Sequence, residues 1–283
     1  MKRYILTLII AVFALMQAAA QTYDNLWKQA GIIARKDQPR SEIGVMKKII
    51  SKASAAKDYG QLLAAEMRQM ILWKEISADS LTPNVERMEA EVLKAKDPAV
   101  KAVRYAVLGK VYRDMDEKKS QEFFKKALEQ PELLAKHTST EYIPLTLKGV
   151  DGSSFNNDLL HLIGFEADSK KAYLQLYTYY NKVGNRGAAC LCAYKLIEKY
   201  RQDDVREVKK SKYLHTIDSL ILVYQDIPEA GELAVEHFRF MEGATDAKPL
   251  DKLNYINYAL SRWGGWSRMN ELRNAQKRLT EPM

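Results

Sequence analysis

Between Asp168 and Tyr200 the chain lays out two amphipathic helices with only Val183-Gly184-Asn185-Arg186 between them, and this stretch leaves little choice of fold. Tyr173, Leu176, Tyr177 and Tyr180 recur at i, i+3, i+4 and i+7, which places all four on one helical face. A face of that size has to be buried. Gly184 suits the left-handed conformation that ends a helix, and Asn185 can cap the next one by accepting a backbone N–H hydrogen bond. The second helix answers the tyrosines with Ala189, Cys192, Ala193 and Leu196, mostly small residues that permit close approach of the two axes. The expectation is an antiparallel helical hairpin.

The spacing Tyr180-x3-Gly184-x4-Ala189 resembles the turn of a tetratricopeptide repeat, without its leading Trp-x2-Leu-Gly. A second partial match lies upstream. Asp97-Pro98 opens a helix in which Tyr105, Leu108, Gly109 and Tyr112 share a face, and Leu108-Gly109-x2-Tyr112 is similar to the first helix of the repeat. Phe124-x2-Ala127, closed by Pro131, is similar to the end of the second helix, one residue short in register. These resemblances imply an all-α chain of tetratricopeptide-like hairpins in a solenoid-like array, an architecture of stacking and not of chemistry.

The rest of the chain has the same helical periodicity. Leu26, Ala30 and Ile33 mark a helix over 24–36, and Ile43, Met46, Ile49, Ile50 and Ala53 mark one over 42–57 that completes a first hairpin. Leu62, Leu63, Met67, Met70, Ile71 and Trp73 continue the pattern until Ser77-Ala78-Asp79-Ser80 interrupts it, and Thr82-Pro83 reads as the next cap and first turn. From His137 to Asn157 the helical period fails. Tyr142-Ile143-Pro144-Leu145-Thr146-Leu147 alternates and Gly149-Val150-Asp151-Gly152-Ser153-Ser154 is a turn cluster, so 137–157 is expected to be an extended linker between helical lobes at 21–136 and 158–283. Asn156 or Asn157 should cap a short helix over 158–164. After the charged run 202–211, Leu214, Ile217, Ile221 and Leu222 mark another helix, Pro228 and Pro249 open two more, and Gly264-Gly265 precedes the last, over 266–279.

Residues 1–20 have a different composition. Met1-Lys2-Arg3, the apolar run Tyr4 to Met16 and Ala18-Ala19-Ala20 form the basic start, short core and small-x-small site of a secretory signal, with cleavage after Ala20 leaving Gln21 first. The run is too short to span a bilayer comfortably. The mature protein is therefore expected to be exported, periplasmic or secreted, without a stable membrane anchor. Removing Lys2 and Arg3 and no acidic residue lowers the formal charge from +8 to +6. With lysines such as Lys118-Lys119 and Lys209-Lys210 interspersed among acids, that mild surplus argues against a nucleic-acid partner. The two cysteines, Cys190 and Cys192, point to different sides of a helix and cannot pair with each other there, so packing has to supply the stability.

No His-Glu-x-x-His, phosphate-binding Gly-x4-Gly-Lys-Ser/Thr or Gly-x-Ser-x-Gly motif occurs. Asp158 with His161, and His215 with Asp218, are acid/histidine pairs at i, i+3, each explained by a local hydrogen bond or exposure on a helix. Gly149-x2-Gly152 has the backbone freedom to cradle an anion, although glycine in such a stretch ordinarily serves a turn. The 16 tyrosines belong to the core and to packing between hairpins, with Tyr173, Tyr177 and Tyr180 the ones to line a groove if any do. The residues point to no enzyme, no metal and no cofactor.

Gln21-Thr22-Tyr23-Asp24-Asn25-Leu26-Trp27-Lys28, Glu75-Ile76-Ser77-Ala78-Asp79-Ser80, Tyr142-Ile143-Pro144 and Phe155-Asn156-Asn157-Asp158-Leu159-Leu160 sample most of the chain. At its end stand Trp266, Arg268, Asn270, Leu272, Arg273, Asn274, Leu279, Thr280 and Pro282. This wording resembles the N-terminal helical region of bacterial alpha-2-macroglobulin family proteins. In that family the region precedes a string of β-domains, and proteases are trapped through a bait region, often with a thioester from Cys-x-Glu-Gln. Cys190 and Cys192 are not followed by Glu-Gln. The resemblance thus implies a non-enzymatic exported interaction module whose partner is protein, either downstream macroglobulin-type domains or an exported protein or peptide. The other expectation is a free-standing tetratricopeptide-like adaptor for an exported peptide or envelope protein.

Overall fold

The structure is a computed structural model that describes residues 23–147, 149–203, 210–243 and 247–281. Among these residues it is an all-α protein of fourteen helices with no strand. The signal residues Ala18, Ala20 and Gln21, and most of the charged run 202–211, lie outside the described residues. The chain divides into two compact units, one formed by 1–129 with 136–148 and the other by 130–135 with 149–283.

The first unit holds α1 (23–34), α2 (Pro39–Ala56), α3 (Tyr59–Ile76), α4 (Leu81–Lys94), α5 (Pro98–Tyr112) and α6 (Glu117–Ala127). Several starts are set by aspartates: Asp58 accepts from Gln61 N–H, Asp97 from Ala99 and Val100 N–H, and Asp116 from Lys119 N–H. Pro39 and Pro98 occupy the first helical position, where a missing N–H costs nothing. The α4 start differs from expectation. Ser80, not Thr82, is the residue before the helix, and its hydroxyl turns back to the Trp73 and Ser77 carbonyls after a 3-10 turn at Ala78–Ser80. Tyr23 and Ala30 of α1 bury themselves with Ile43, Met46 and Ile49 of α2 and Leu62, Ala65 and Leu72 of α3 in one apolar cluster. A second cluster joins Met70, Val85, Met88, Leu108 and Tyr112 across α3, α4 and α5. In the α5/α6 hairpin the absent side chain of Gly109 leaves room for the Phe124 ring, and Ser120 Oγ donates to the Gly109 carbonyl at 2.6 Å.

The second unit holds α7 (Pro131–Leu134), α8 (Leu159–Ala167), α9 (Lys170–Lys182), α10 (Arg186–Asp203), α11 (Lys210–Tyr224), α12 (Ala230–Glu242), α13 (Pro249–Trp263) and α14 (Asn270–Thr280). The α9/α10 hairpin forms as its turn requires: Gly184 takes φ +76° and Asn185 Oδ1 accepts from Ala188 N–H at 3.1 Å. From Ala188 to Ala193 every residue of α10 is buried, as are Tyr194 and Ile197, because α9, α11 and α12 all pack on it. Glu236 of α12, fully buried, is held by Arg201 and Arg239, which converts an expensive lone charge into a compensated one. Pro249 opens α13 and Gly264 caps its end, whereas Pro228 sits in the turn two residues ahead of α12.

The stretch 137–157 is not extended. Its first part contains a 3-10 turn at Ser139–Tyr142, started by a capping box in which Thr138 and Glu141 serve each other's backbone N–H groups. Its second part contains a 3-10 turn at Gly152–Phe155, flanked by Asp151, Asn156 and Asn157 at positive φ. Asn156 and Asn157 are therefore turn residues, and the cap of α8 is Asp158.

Candidate functional site

The residues singled out in the sequence gather mostly in the core of the second unit. Asp158, Phe155, His161 and Tyr180 are all buried there. As the N-cap of α8, Asp158 accepts the His161 backbone N–H at 2.8 Å, and its two carboxylate oxygens receive the Tyr180 hydroxyl at 2.9 and 3.0 Å. Burial outweighs these hydrogen bonds and raises the carboxyl to about 6. The His161 ring lies flat on Phe155, 3.9 Å between centroids and 3° between planes, and edge-on to Phe165. Desolvation drops its pKa to about 4, so the ring is neutral near pH 7, and its Nδ1 has no hydrogen-bond partner. Asp158 thus serves the backbone of His161 and not its imidazole. The pair is a cap with a buried aromatic, rather than an acid orienting a base.

Gly149 abuts this ring. A Cβ there would stand 2.7 Å from His161 Cε1, which explains the glycine as a close approach. The Gly152 N–H is spent on the Gly149 carbonyl at 3.0 Å, so the turn does not present it to an anion. Asp151, inside the same turn, pairs with Arg268, which also reaches the buried Glu232 beside the Trp266 indole N–H.

The tyrosine face is buried unevenly. Tyr173 and Tyr180 are core residues, Tyr173 donating to Asp168 at 2.8 Å, but Tyr177 is only half-buried, contrary to a fully buried four-residue face. Leu196 is likewise half-buried, with Ile197 taking the inward position. His215 is exposed, and Asp218 faces His237 of α12 instead, 2.8 Å from its Nδ1, in a site where His237 stacks on Tyr255. Cys190 and Cys192 are free and buried, and burial pushes both thiols up, away from reactivity. Among the described residues no group of three or more His, Cys, Asp or Glu side chains is placed to hold a metal ion, and no helix is long and apolar enough to cross a membrane.

An accessible concavity lies elsewhere, in the first unit. An open cleft of about 550 Å³ runs between α2, α3 and α4. Ile50, Trp73 and Pro83 give it apolar walls, and Lys47, Gln69, Asn84 and Arg87 place polar groups in it. Arg87 Nη2 rests on two neutral oxygens, Gln69 Oε1 at 3.2 Å and Asn84 Oδ1 at 3.1 Å. A smaller recess of about 140 Å³ shares Ile50, Gln69 and Arg87 and reaches Glu66 and Glu91. Both carboxylates are occupied there, Glu66 by Arg104 at 2.9 Å and Glu91 by Lys94 at 2.7 Å. Sequence periodicity registers Ile50 and Trp73 as apolar positions but does not mark this cleft, because its walls come from three helices.

No protein-family model matches this sequence, and no curated protein does.

Proposed function

We propose that the chain is an exported, non-catalytic helical module that binds another polypeptide through the α2–α4 cleft. The observation that carries this reading is the cleft itself: it is large enough for side chains, walled by apolar groups and rimmed by hydrogen-bonding ones. Neither acid/histidine pair of the sequence joins its two side chains, since Asp158 serves the His161 backbone and Asp218 faces His237 while His215 is exposed, which supports binding over chemistry. The helical hairpins are similar in plan to tetratricopeptide units, and the wording at both ends of the chain resembles the region that precedes the β-domains of bacterial alpha-2-macroglobulins. We place the module in that setting, where its partner is a polypeptide outside the cytoplasm.

The test is site-specific photocrosslinking of the exported protein in cells. A photoreactive residue at Ser51, on the cleft wall, is compared with one at Leu93, which is 75% exposed on the neighbouring helix α4. The reading predicts a discrete polypeptide adduct from Ser51 and none from Leu93. Equal labelling at both positions would overturn it.

A further inference from the structure

We infer that the partner segment seated in the α2–α4 cleft is acidic, an extended peptide that alternates carboxylates with apolar side chains. This rests on the cleft being a polypeptide site and specifies its ligand. Nine residues line the larger chamber and none of them is a carboxylate, while Lys47 and Arg87 are both cations. Lys47, exposed on α2, makes no ion pair among the described residues. Arg87 is held in place by two neutral amide oxygens, which position the guanidinium; its charge also acts on Glu66 across the side recess, but no carboxylate pairs with it at contact distance. Two other arginines of this unit, Arg68 and Arg104, are matched to carboxylates: Arg68 forks onto Glu42 at 2.6 and 2.9 Å, and Arg104 meets Glu66 at 2.9 Å. In the cleft, the exposed Lys47 and Arg87 stand beside the apolar Ile50, Trp73 and Pro83.

An anionic group between Lys47 and Arg87 would gain charge-assisted hydrogen bonds, with Arg87 already oriented for it. Apolar side chains of the same segment would cover Trp73, Ile50 and Pro83. Side chains in an extended peptide alternate between its two sides, so a sequence in which charge and apolarity alternate meets the cationic rim and the apolar wall together. The Glu66 and Glu91 carboxylates in the side recess disfavour a second anion there.

The experiment is fluorescence anisotropy of the full mature chain with three labelled peptides of equal length: Glu alternating with Leu and Phe, the same with Lys, and the same with Ser. Tight binding of the Glu peptide is expected, weakened on the order of tenfold by Lys47→Glu and by raising salt from low to molar concentration. Lys47 is exposed, so circular dichroism of Lys47→Glu should match the parent, and Arg87→Lys provides a second variant that keeps the charge but loses the oriented fork. If the Ser or Lys peptide binds as well as the Glu peptide, or if Lys47→Glu leaves the Glu peptide unaffected, the acidic assignment fails while the cleft remains a polypeptide site. If none of the three binds, the polypeptide-binding reading itself fails. Preference for an oligonucleotide or an anionic vesicle over the Glu peptide would also overturn the assignment.

Discussion

Removing one hydroxyl tests the core of the second unit most directly. Tyr180 donates to both oxygens of Asp158, and the ring itself packs edge-on to Phe155, so Tyr180→Phe keeps the packing and removes only the donor. A hydrogen bond to a charged group is worth about 1.5–3 kcal/mol and a neutral one about 1 kcal/mol. The sign of the pH dependence follows from Asp158. Its folded pKa, about 6, lies above the ordinary value of 3.8, so the folded protein holds this proton more tightly than the unfolded chain does. The burial of Asp158 therefore costs stability above about pH 6 and costs nothing below pH 3.8. The Tyr180 hydroxyl favours the charged form, and its loss raises the folded pKa further and deepens the cost at high pH. Tyr180→Phe should lower stability by about 2 kcal/mol at pH 7.5 and by about 1 kcal/mol at pH 4.5. Urea melts of parent and variant at both pH values measure this. A loss independent of pH would show that Asp158 is not a buried carboxylate stabilised by Tyr180, and no loss at all would remove the hydrogen bond from the account.

Replacing His161 with Ala should cost about 3 kcal/mol, because the buried ring is stacked on Phe155 and edge-on to Phe165, and Tyr177→Ala only about 1–2 kcal/mol because that ring is half-buried; paired urea melts in which Tyr177→Ala proves the worse would reverse the assignment. Gly149→Ala, which forces a methyl group to within 2.7 Å of the His161 ring, should destabilise by about 1–3 kcal/mol in the same melts, and a neutral result would mean that the turn moves aside freely. Neither Cys190 nor Cys192 should react with a thiol reagent in the folded protein, and both should react in denaturant; a thiol that titrates under native conditions contradicts the burial of α10. Export with cleavage after Ala20 should leave Gln21 as the first residue by mass spectrometry, against which an intact Met1 would count.

Local chemistry was legible in the sequence at several helix ends but not at all of them, since the caps of α4 and α8 fell on Ser80 and Asp158 and not on Thr82 and Asn156 or Asn157. Asp97-Pro98 announces the start of α5, and Gly184-Asn185 announces the turn between α9 and α10, because a cap or a left-handed turn is made within a handful of residues. The misreading of 137–157 had a visible remedy. Thr138 and Glu141 are spaced as a capping box, a stronger local signal than the apolar alternation of Tyr142 to Leu147 that suggested extended chain. Depth of burial is another matter, since periodicity gives the direction in which a side chain points but not what stands opposite. Tyr177 and Tyr180 share a face, yet Tyr180 meets Asp158 and Phe155 while Tyr177 stands at the rim beside Tyr224. For His161 the clue lay in its helix: Leu159–Ala167 is apolar nearly all round, a pattern that demands burial and carries the histidine inside with it. The cleft gave no such clue. Lys47, Trp73 and Arg87 sit on three helices, each an ordinary residue on its own helical face, and they line one cleft only when α2, α3 and α4 pack. A binding surface in a stack of hairpins is a property of the packing between elements, so its chemistry is readable only after the helices have been assembled.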